Sequence, residues 1–479
     1  MTLNSKTSII WFRQDLRTLD NPALFNALNF KNVLPVYILD DVNSKDYTMG
    51  AASRWWLHHS LESLNKKLDN KLSFYVGDAI KILQSLVDKF NVDTVFWNRC
   101  YEPWRIERDT IIKKSFVEKK INVETFNSAL LWEPWDILKS DGTPYKVFTP
   151  FYRKGCLMSD SPREPIPEPN LEPLIFDKKN SVKLESLKLI PKIKWYLEME
   201  KLWEPGEKGA ILKLNEFLDN GLVGYKEGRN FPAKKNVSQL SAHMHFGEIS
   251  PNKIWYDAKL KHNSSNGDKD LDHFLSELGW REFSYNLLYH FPTLPRENLQ
   301  EKFNNFPWKT DYYLLEKWQK GLTGYPIVDA GMRELWVTGY MHNRVRMIVG
   351  SFLVKNLLLH WHEGEKWFWD CLIDADLASN SSSWQWVAGS GADAAPYFRI
   401  FNPLIQGSKF DPNGDYIRKH LPELKDLPTK YLFSPWEAPD EILKLSNITL
   451  GVDYPKPIVD LKQSRDEALE AFSTIRIKP

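Results

Sequence analysis

The first 127 residues alternate short apolar runs with helical patterns. The helical patterns lie near 51–68, 78–91 and 103–119. The apolar runs are SIIWF (8–12), VLPVYIL (33–39), LSFYV (72–76), TVFW (94–97) and INVETF (121–126). Strands that alternate with helices pair in parallel through right-handed crossovers. The N-terminal part is therefore predicted to form a five-stranded, doubly wound parallel sheet.

The pattern changes twice further along the chain. From 128 to 205 prolines recur and periodicity is weak, which is typical of a connector that runs over the surface. From 206 onward helical patterns such as DHFLSELGWREFSYNLLYHF dominate, and strand-like alternation does not return. The predicted fold class is α/β plus all-α: a Rossmann-like domain over 1–127, a linker over 128–205 and a helical domain over 206–479.

Bulk composition excludes several classes of protein. The chain has 63 Lys and Arg against 62 Asp and Glu, so no global basic field attracts nucleic acid, although a local basic face is compatible with this total. Cys100, Cys156 and Cys371 are widely spaced and predict reduced thiols. No apolar run is long enough for a signal peptide or a membrane span. We expect a monomeric cytoplasmic protein without a membrane partner.

One block, residues 374–403, concentrates acids, a Ser/Asn run, two tryptophans and an arginine between aromatic residues: DADLASNSSSWQWVAGSGADAAPYFRIFNP. Such a mixture suits a pocket for a large, flat, partly polar ligand. The GSGADA stretch formally fits a dinucleotide fingerprint, but no strand precedes it, so a dehydrogenase is a remote alternative. Asp374 and Asp376 lack a nearby histidine or further acid to complete a shell, so no metal site is predicted.

Four motifs in order resemble the photolyase/cryptochrome flavoprotein family. They are IIWFRQDLRTLDNPAL, LSELGWREF, TGYPIVDAGMRELWVTGYMHNRVRM and the 374–403 block, and the similarity runs from roughly residue 8 to 440. The resemblance implies an N-terminal antenna domain, a long linker and a C-terminal helical domain that binds a folded FAD. That order of parts agrees with the layout read from periodicity alone.

The resemblance also implies which residues contact FAD. Hydroxyl and guanidinium groups suit phosphate oxygens, and amides and acids suit the polar edges of the rings. The matched positions are Tyr225, Ser238 and Ser241 near the ribityl–phosphate part, and Arg281, Asn343, Arg346, Asp374, Asp376 and Asn380 near the isoalloxazine and adenosine. Val237 and Phe274 depart from residues that are common in the family, Thr and Trp, at two further positions.

The residue at position 380 separates subfamilies, because plant cryptochromes usually carry Asp there and insect ones Cys, whereas repair enzymes carry Asn. The expected activity is light-driven repair of cyclobutane pyrimidine dimers in UV-damaged DNA, by electron transfer from photoexcited reduced FAD to a flipped-out dimer. Alternatives are a cryptochrome-type blue-light receptor and (6-4) photoproduct repair, for which only His342 offers a histidine in the pocket region. The matched lesion-pocket positions are Glu277, Trp280, Asn343, Met347 and Trp386.

Three further groups of residues follow from the resemblance. Trp384, Trp361 and Trp308 match an electron relay from the flavin to the surface. Phosphate contacts are expected from Arg229, Arg344 and Arg399. In the stretch WNRCYEPWRIERD, Trp104 and Arg105 replace the Asn-Glu pair of one folate-binding branch. We therefore expect 5,10-methenyltetrahydrofolate bound in another manner as the antenna, with 8-hydroxy-5-deazaflavin second and no antenna third.

Overall fold

A parallel five-stranded sheet forms the N-terminal part of the computed structural model, which describes residues 4–261, 268–394 and 398–475. Across the sheet the strand order is β3-β2-β1-β4-β5, with every neighbouring pair parallel. The strands are β1 (Asn4–Phe12), β2 (Phe30–Leu39), β3 (Ser73–Val76), β4 (Val92–Asn98) and β5 (Asn122–Phe126). Each strand overlaps one predicted apolar run, so the predicted sheet is confirmed.

Five helices accompany the strands: α1 (Pro22–Ala27), α2 (Asp41–Ser44), α3 (Ala51–Lys67), α4 (Ala79–Phe90) and α5 (Pro103–Glu118). The last three lie within one residue of the predicted bounds. Helix α1 was not predicted, because six residues are too few to show a helical period. Its start is nonetheless encoded locally: the Asn21 side chain accepts a hydrogen bond from the Leu24 amide, and Pro22 occupies the first turn.

Both faces of the sheet are buried, which explains the continuous apolar runs. Along β1, Ile9 and Trp11 face one side and pack with residues of α4 and α5. Ile10 and Phe12 face the other side and pack with α1 and α3. Helix α3 then lies between the sheet and the helical part of the chain, because its apolar residues pack with those of the strands and it also contacts later helices.

The connector between the two parts is attached to the sheet. Its residue Leu174 forms a β-bridge with Val33, and Val182 forms another with Phe74. It contains only short helical elements: α6 (Phe148–Pro150), a π-helical turn (Phe151–Cys156), a 3-10 turn (Leu184–Leu187) and α7 (Leu197–Leu202). These bridges give an apparently irregular segment a fixed path.

Helices dominate the rest of the described chain, where no further strand of the sheet occurs, and this confirms the predicted α/β plus all-α class. None of the described helices combines the length and apolarity needed to cross a bilayer. The helices are α8 (Glu207–Asn220), α9 (Tyr225–Gly228), α10 (Ser241–His245), α11 (Pro251–Lys261), α12 (Lys269–His290), α13 (Tyr312–Gln319), α14 (Pro326–Thr338), α15 (Asn343–Ser351), α16 (Trp361–Cys371), α17 (Leu377–Ala388), α18 (Pro403–Phe410), α19 (Asp415–His420), α20 (Thr429–Leu432), α21 (Asp440–Leu445) and α22 (Leu461–Thr474).

Helix α17 occupies the centre of the helical part, because it packs against α12, α15 and α16. Its first residue follows Asp376, whose carboxylate caps the helix by accepting from the Ser379 amide at 2.8 Å. The 374–403 block therefore supplies both a buried helix and the polar residues at its start. A second π-helical segment, Phe352–Asn356, extends α15, and 3-10 turns occur at Lys45–Tyr47, Glu301–Asn305, Pro422–Leu424 and Pro435–Glu437.

Candidate functional site

A buried ion pair marks one side of the site. The Nη2 atom of Arg346 lies 2.9 Å from Oδ2 of Asp374, and its Nε donates to the Met341 carbonyl at 2.7 Å. Burial alone would lower the pKa of Arg346, but the charge and hydrogen bond of Asp374 outweigh it and raise that pKa. The guanidinium is thus a permanent cation held in a fixed plane, as recognition of a flat polar ring requires.

A second carboxylate, Asp376, is held charged by its neighbours. Burial would raise its pKa, but hydrogen bonds and charge from His245, Arg281 and Tyr285 lower it below the usual range. The Tyr285 hydroxyl donates to Oδ2, and Nδ1 of His245 lies 3.5 Å from the same oxygen. Sequence periodicity does not indicate His245 or Tyr285 as partners of Asp376, because they lie on α10 and α12, far from it along the chain.

Asn380 has a fixed amide orientation. Its Nδ2 donates to the Glu365 backbone carbonyl at 3.1 Å. The opposite atom, Oδ1, accepts no hydrogen bond from the part of the chain that the structure describes, so it can receive an N–H from a ligand. The Glu365 side chain accepts from the Ser381 hydroxyl at 2.6 Å, and burial raises the pKa of Glu365 to about 7. Glu365 is a further site residue that the sequence did not reveal.

The serine hydroxyls of the predicted FAD site are available for a ligand. Ser238 and Ser241 are half-buried, Ser241 starts α10, and their hydroxyls make no hydrogen bond within the described residues. Tyr225 starts α9 and is buried. The Arg281 guanidinium donates to the Ala129 carbonyl at 2.7 Å and lies over the Tyr285 ring. Unused hydroxyls suit phosphate oxygens, and the fixed guanidinium groups of Arg281 and Arg346 suit phosphates and polar ring edges, so the donor set fits FAD.

A column of aromatic rings forms a wall near α12. The Trp280 ring stacks on Phe148 with centroids 3.8 Å apart and planes 10° apart, and Phe148 stacks in turn on Tyr152. Gly279 permits this approach, since a Cβ there would lie 2.5 Å from the Tyr152 ring. Phe148 belongs to the connector, so the connector supplies the backing of Trp280.

Trp386 is tied to the same connector by two hydrogen bonds. Its Nε1 donates to the Asp393 carbonyl at 3.1 Å, and the Asp393 amide donates to the Lys146 carbonyl at 3.0 Å. Lys146 lies two residues before Phe148, which backs Trp280. The two tryptophans matched to the lesion pocket are therefore both positioned by residues 146–148.

Glu277 and Arg229 form an ion pair. The resemblance assigns them different roles, Glu277 in the lesion pocket and Arg229 at the DNA phosphates. Nη1 of Arg229 donates to Oε1 of Glu277, and the His273 ring lies 3.1 Å from the same guanidinium. The charge of Glu277 outweighs the effect of burial and raises the pKa of Arg229. Arg229 is thus the counter-ion of Glu277 rather than a side chain extended into solvent.

The three tryptophans of the predicted relay differ in exposure. Trp384 is buried against Phe368, with ring centroids 5.0 Å apart, and Trp361 is fully buried with its Nε1 donating to Asn298. The rings of Trp361 and the half-buried Trp308 both contact His360, at 5.6 and 5.3 Å. Trp361 and Trp308 are thus brought close to one another, with Trp384 in the same apolar cluster.

Gly364 makes room for Trp384, so we expect Gly364→Ala to disturb this site. A Cβ at residue 364 would lie 2.1 Å from Cη2 of Trp384, and overpacking of this kind costs about 1–3 kcal/mol. Thermal unfolding measures the loss of stability. Gly350→Ala is the matched control, since its Cβ would come no closer than 3.2 Å to Val387. Equal melting temperatures for the two variants would contradict the prediction.

Comparison with known proteins identifies the chain. The family model described as the FAD binding domain of DNA photolyase matches residues 274–474, and the DNA photolyase model matches residues 8–170. A deoxyribodipyrimidine photo-lyase of Agrobacterium fabrum is 46% identical, with 99% of each chain covered. The chain belongs to the photolyase/cryptochrome family. Cryptochrome-2 of Arabidopsis thaliana is 38% identical over 99% of this chain and 80% of its own length.

A solved structure agrees with this photolyase/cryptochrome assignment. The crystal structure of a bacterial class III photolyase from Agrobacterium tumefaciens superimposes with a TM-score of 0.93 at 46% identity, covering 99% of this chain and 98% of that one. The resemblance predicted from the four motifs is confirmed, as is the FAD-binding helical part. The individual site residues stay predictions.

A second cleft lies at the carboxyl ends of β1 and β2, with the start of α5 on its other side, and the strand order reverses next to it, between β1 and β4. Arg108 lies over both the Trp11 and the Trp104 rings, and Arg105 lies 4.5 Å from the Trp104 centroid. The charge of Glu102 outweighs the effect of burial and raises the pKa of Arg105. His245, which contacts Asp376, lines the same cleft and links it to the helical site.

Proposed function

We propose that this protein is a light-driven lyase that reverses cyclobutane pyrimidine dimers in UV-damaged DNA. The observation that carries the proposal is the pair of tryptophans, Trp280 and Trp386, fixed by one connector segment beside the flavin-type residues of α17. The photo-lyase similarity over 99% of both chains supports it. A repair role agrees with the monomeric state and cytoplasmic location predicted from the sequence, which stay predictions.

FAD would be held by Arg346, Asp374, Asp376 and Asn380 at its ring system, with the free hydroxyls of the serine pair near its phosphates. When bound, reduced and excited by light, FAD supplies one electron that opens the cyclobutane ring by breaking its two C–C bonds and then returns, so that no net oxidation occurs. The amide of Asn380 would present Oδ1 to a ring N–H, because Nδ2 is already held by Glu365.

The lesion must leave the duplex to reach this site, because a base inside the stack is out of reach of an enzyme pocket. Trp280 and Trp386 would cover the apolar faces of the dimer. The Glu277 carboxylate would accept the N3–H of a pyrimidine edge. Arg229, bonded to Glu277, places a positive charge beside the dimer, where negative charge develops as the electron arrives.

DNA phosphates would bind along an open groove of about 410 Å³ next to this pocket. Arg344 and Arg399 line the groove together with Met347, Gln406 and Lys409. The Arg344 guanidinium is positioned by Asn230 and by the Phe410 ring 4.4 Å away. Contacts of this kind fix the register of the strand, and they do not read its sequence.

Repair of (6-4) photoproducts is disfavoured by the state of His342. The ring caps α15 by accepting from the Arg344 amide at 3.2 Å, and it is 2% exposed. Burial, together with the charges of Arg229, Arg344 and Arg346, lowers the pKa of His342 to about 3. A neutral buried imidazole is a poor proton donor at neutral pH. Signalling as a cryptochrome-type receptor is the second candidate function, and it is supported by the 38% identity to cryptochrome-2.

We infer that the antenna pigment binds in the cleft at the edge of the sheet. Stacked arginine and tryptophan side chains suit a flat pigment with an anionic tail, such as 5,10-methenyltetrahydrofolate, with 8-hydroxy-5-deazaflavin as the alternative. The absorption spectrum of the purified protein and extraction of the pigment distinguish the two. Arg105→Gln is expected to release the pigment while FAD stays bound.

We expect Trp386→Ala to weaken binding of dimer-containing DNA by roughly 5- to 150-fold, which corresponds to about 1–3 kcal/mol for one stacked base. Repair under blue light should slow at limiting DNA, while the flavin spectrum stays unchanged. The assay measures disappearance of a thymine dimer from an oligonucleotide. Trp135→Ala is the control, since Trp135 is 40% exposed outside the pocket. Loss of flavin from Trp386→Ala would show that this residue supports FAD instead.

A further inference from the structure

A cavity of about 140 Å³ shares two lining residues, Arg399 and Phe401, with the open groove described above. Trp386 forms part of its wall, so the cavity is next to the lesion pocket proposed above. One water molecule fills about 30 Å³ of liquid, so the cavity has room for a phosphate group. Its polar lining is Gln300, Lys302, Lys355 and Arg399, and its aromatic lining includes Phe303, Phe398 and Phe472.

Lys355 is the unusual residue of this lining. This residue belongs to the π-helical segment Phe352–Asn356 and is 5% exposed. Its Nζ donates a hydrogen bond to the Arg399 carbonyl. Among the residues that the structure describes, no carboxylate lies within 4.0 Å of Nζ. A buried charge without a counter-ion is costly unless a ligand supplies one. Helical turns of the π type recur at functional sites.

The electrostatics of Lys355 favour an anion in the cavity. Burial, together with the charge of Arg399, lowers the pKa of Lys355 to about 7. An anion close to Nζ would stabilise the ammonium form. The Arg399 carbonyl is the one acceptor that the described chain provides for its three N–H donors. The remaining donors can therefore bind a ligand oxygen.

Lys302 brings a second cation to the same cavity. Its Nζ lies over the rings of Phe303 and Phe472, 5.6 and 5.9 Å from their centroids. Within the described residues its ammonium forms no ion pair with a carboxylate. Rings hold the ammonium in position without neutralising it, so its charge stays available.

We propose that this cavity binds a phosphate group of the lesion-bearing DNA strand through Lys355 and Lys302, beside Arg399. The inference rests on the proposed repair function. The phosphate would be one that flanks the dimer, because Trp386 forms a wall of both the cavity and the lesion pocket. The site would then hold the strand at Arg399, next to the open groove.

The test measures binding by the FAD-loaded protein in the dark. Each oligonucleotide carries one thymine dimer and one uncharged methylphosphonate at a different backbone position. For the unaltered protein, one flanking position should weaken binding roughly tenfold when neutralised, on the scale of a charged hydrogen bond. Lys302→Gln and Lys355→Gln should weaken binding of the fully charged substrate similarly, reduce the salt slope by about 1, and become insensitive to that methylphosphonate.

Lys31→Gln is the matched control, since Lys31 is exposed on β2 of the sheet. If Lys355→Gln does not fold, Lys302→Gln carries the test, because Lys302 is only half-buried. If methylphosphonates at every position weaken binding by the unaltered protein equally, the phosphate site is overturned. The lysines would then act only by positioning the Arg399 segment. Unchanged affinity in Lys302→Gln would overturn it too. Dimer repair by the unaltered protein is measured in the light, and its absence would contradict the proposed function instead.

Discussion

Replacing Asp374 by asparagine is expected to release FAD. The change leaves the Arg346 guanidinium without its counter-ion, and breaking a buried pair costs about 3–5 kcal/mol. Arg346 keeps partial exposure, so we expect the lower end of that range, about a 100-fold loss of flavin affinity. Flavin retention after purification and titration of the apoprotein with FAD measure the effect.

Two further variants show whether the lost affinity comes from the site. Asp88→Asn removes one partner of an exposed pair with Lys119 and should bind FAD normally, because surface pairs contribute little. The double variant Arg346→Met and Asp374→Met removes both buried charges, so it should recover thermal stability without recovering FAD. Full flavin retention in Asp374→Asn would place the ion pair outside the flavin site.

Replacing Trp384 by phenylalanine is expected to prevent photoreduction of the bound flavin. Phenylalanine is much harder to oxidise than indole, so the residue matched to the flavin end of the relay would no longer supply an electron. Illumination that fully reduces the unaltered protein should leave the variant oxidised. After chemical reduction, the variant should still repair dimers, because repair needs the reduced cofactor and not the relay. Absorption spectra during illumination follow the first effect, and a dimer assay follows the second.

Trp318→Phe is the control for the relay. Trp318 is fully buried with its ring 6.2 Å from Trp384, and its Nε1 donates to the Val349 carbonyl. It was not matched to the relay, so photoreduction should proceed in this variant. Equal loss of photoreduction in both variants would show that general packing around Trp384, and not its redox chemistry, is responsible.

The sheet could be predicted from the sequence because each buried strand is a short apolar run bounded by helical patterns. Local signals also placed α3, α4 and α5, whose periods extend over at least three turns. Helix α1 was missed, since its evidence is a cap and a proline rather than a period. The path of the connector could not be predicted either, because two single bridges, at Leu174 and Val182, determine it.

Motifs predicted some residues of the candidate site and missed others. Asp374, Asp376 and Asn380 are close in sequence and share the start of α17, so one motif reveals them all. The Arg229–Glu277 pair joins residues 48 positions apart, one directly after α9 and the other on α12, and no local pattern encodes such a contact. Glu365 was missed for the same reason: its role depends on hydrogen bonds from α17.

The contacts of residues 146–148 have a consequence for chimeras between relatives. A junction placed after the connector would bring Phe148 and Lys146 of one relative against Trp280 and Asp393 of another. The contacts behind both tryptophans of the pocket would then change. A junction placed just after β5 would exchange the sheet and keep the pocket with its own backing. Exchange of the N-terminal sheet between relatives therefore has a preferred breakpoint, and it lies at the start of the connector.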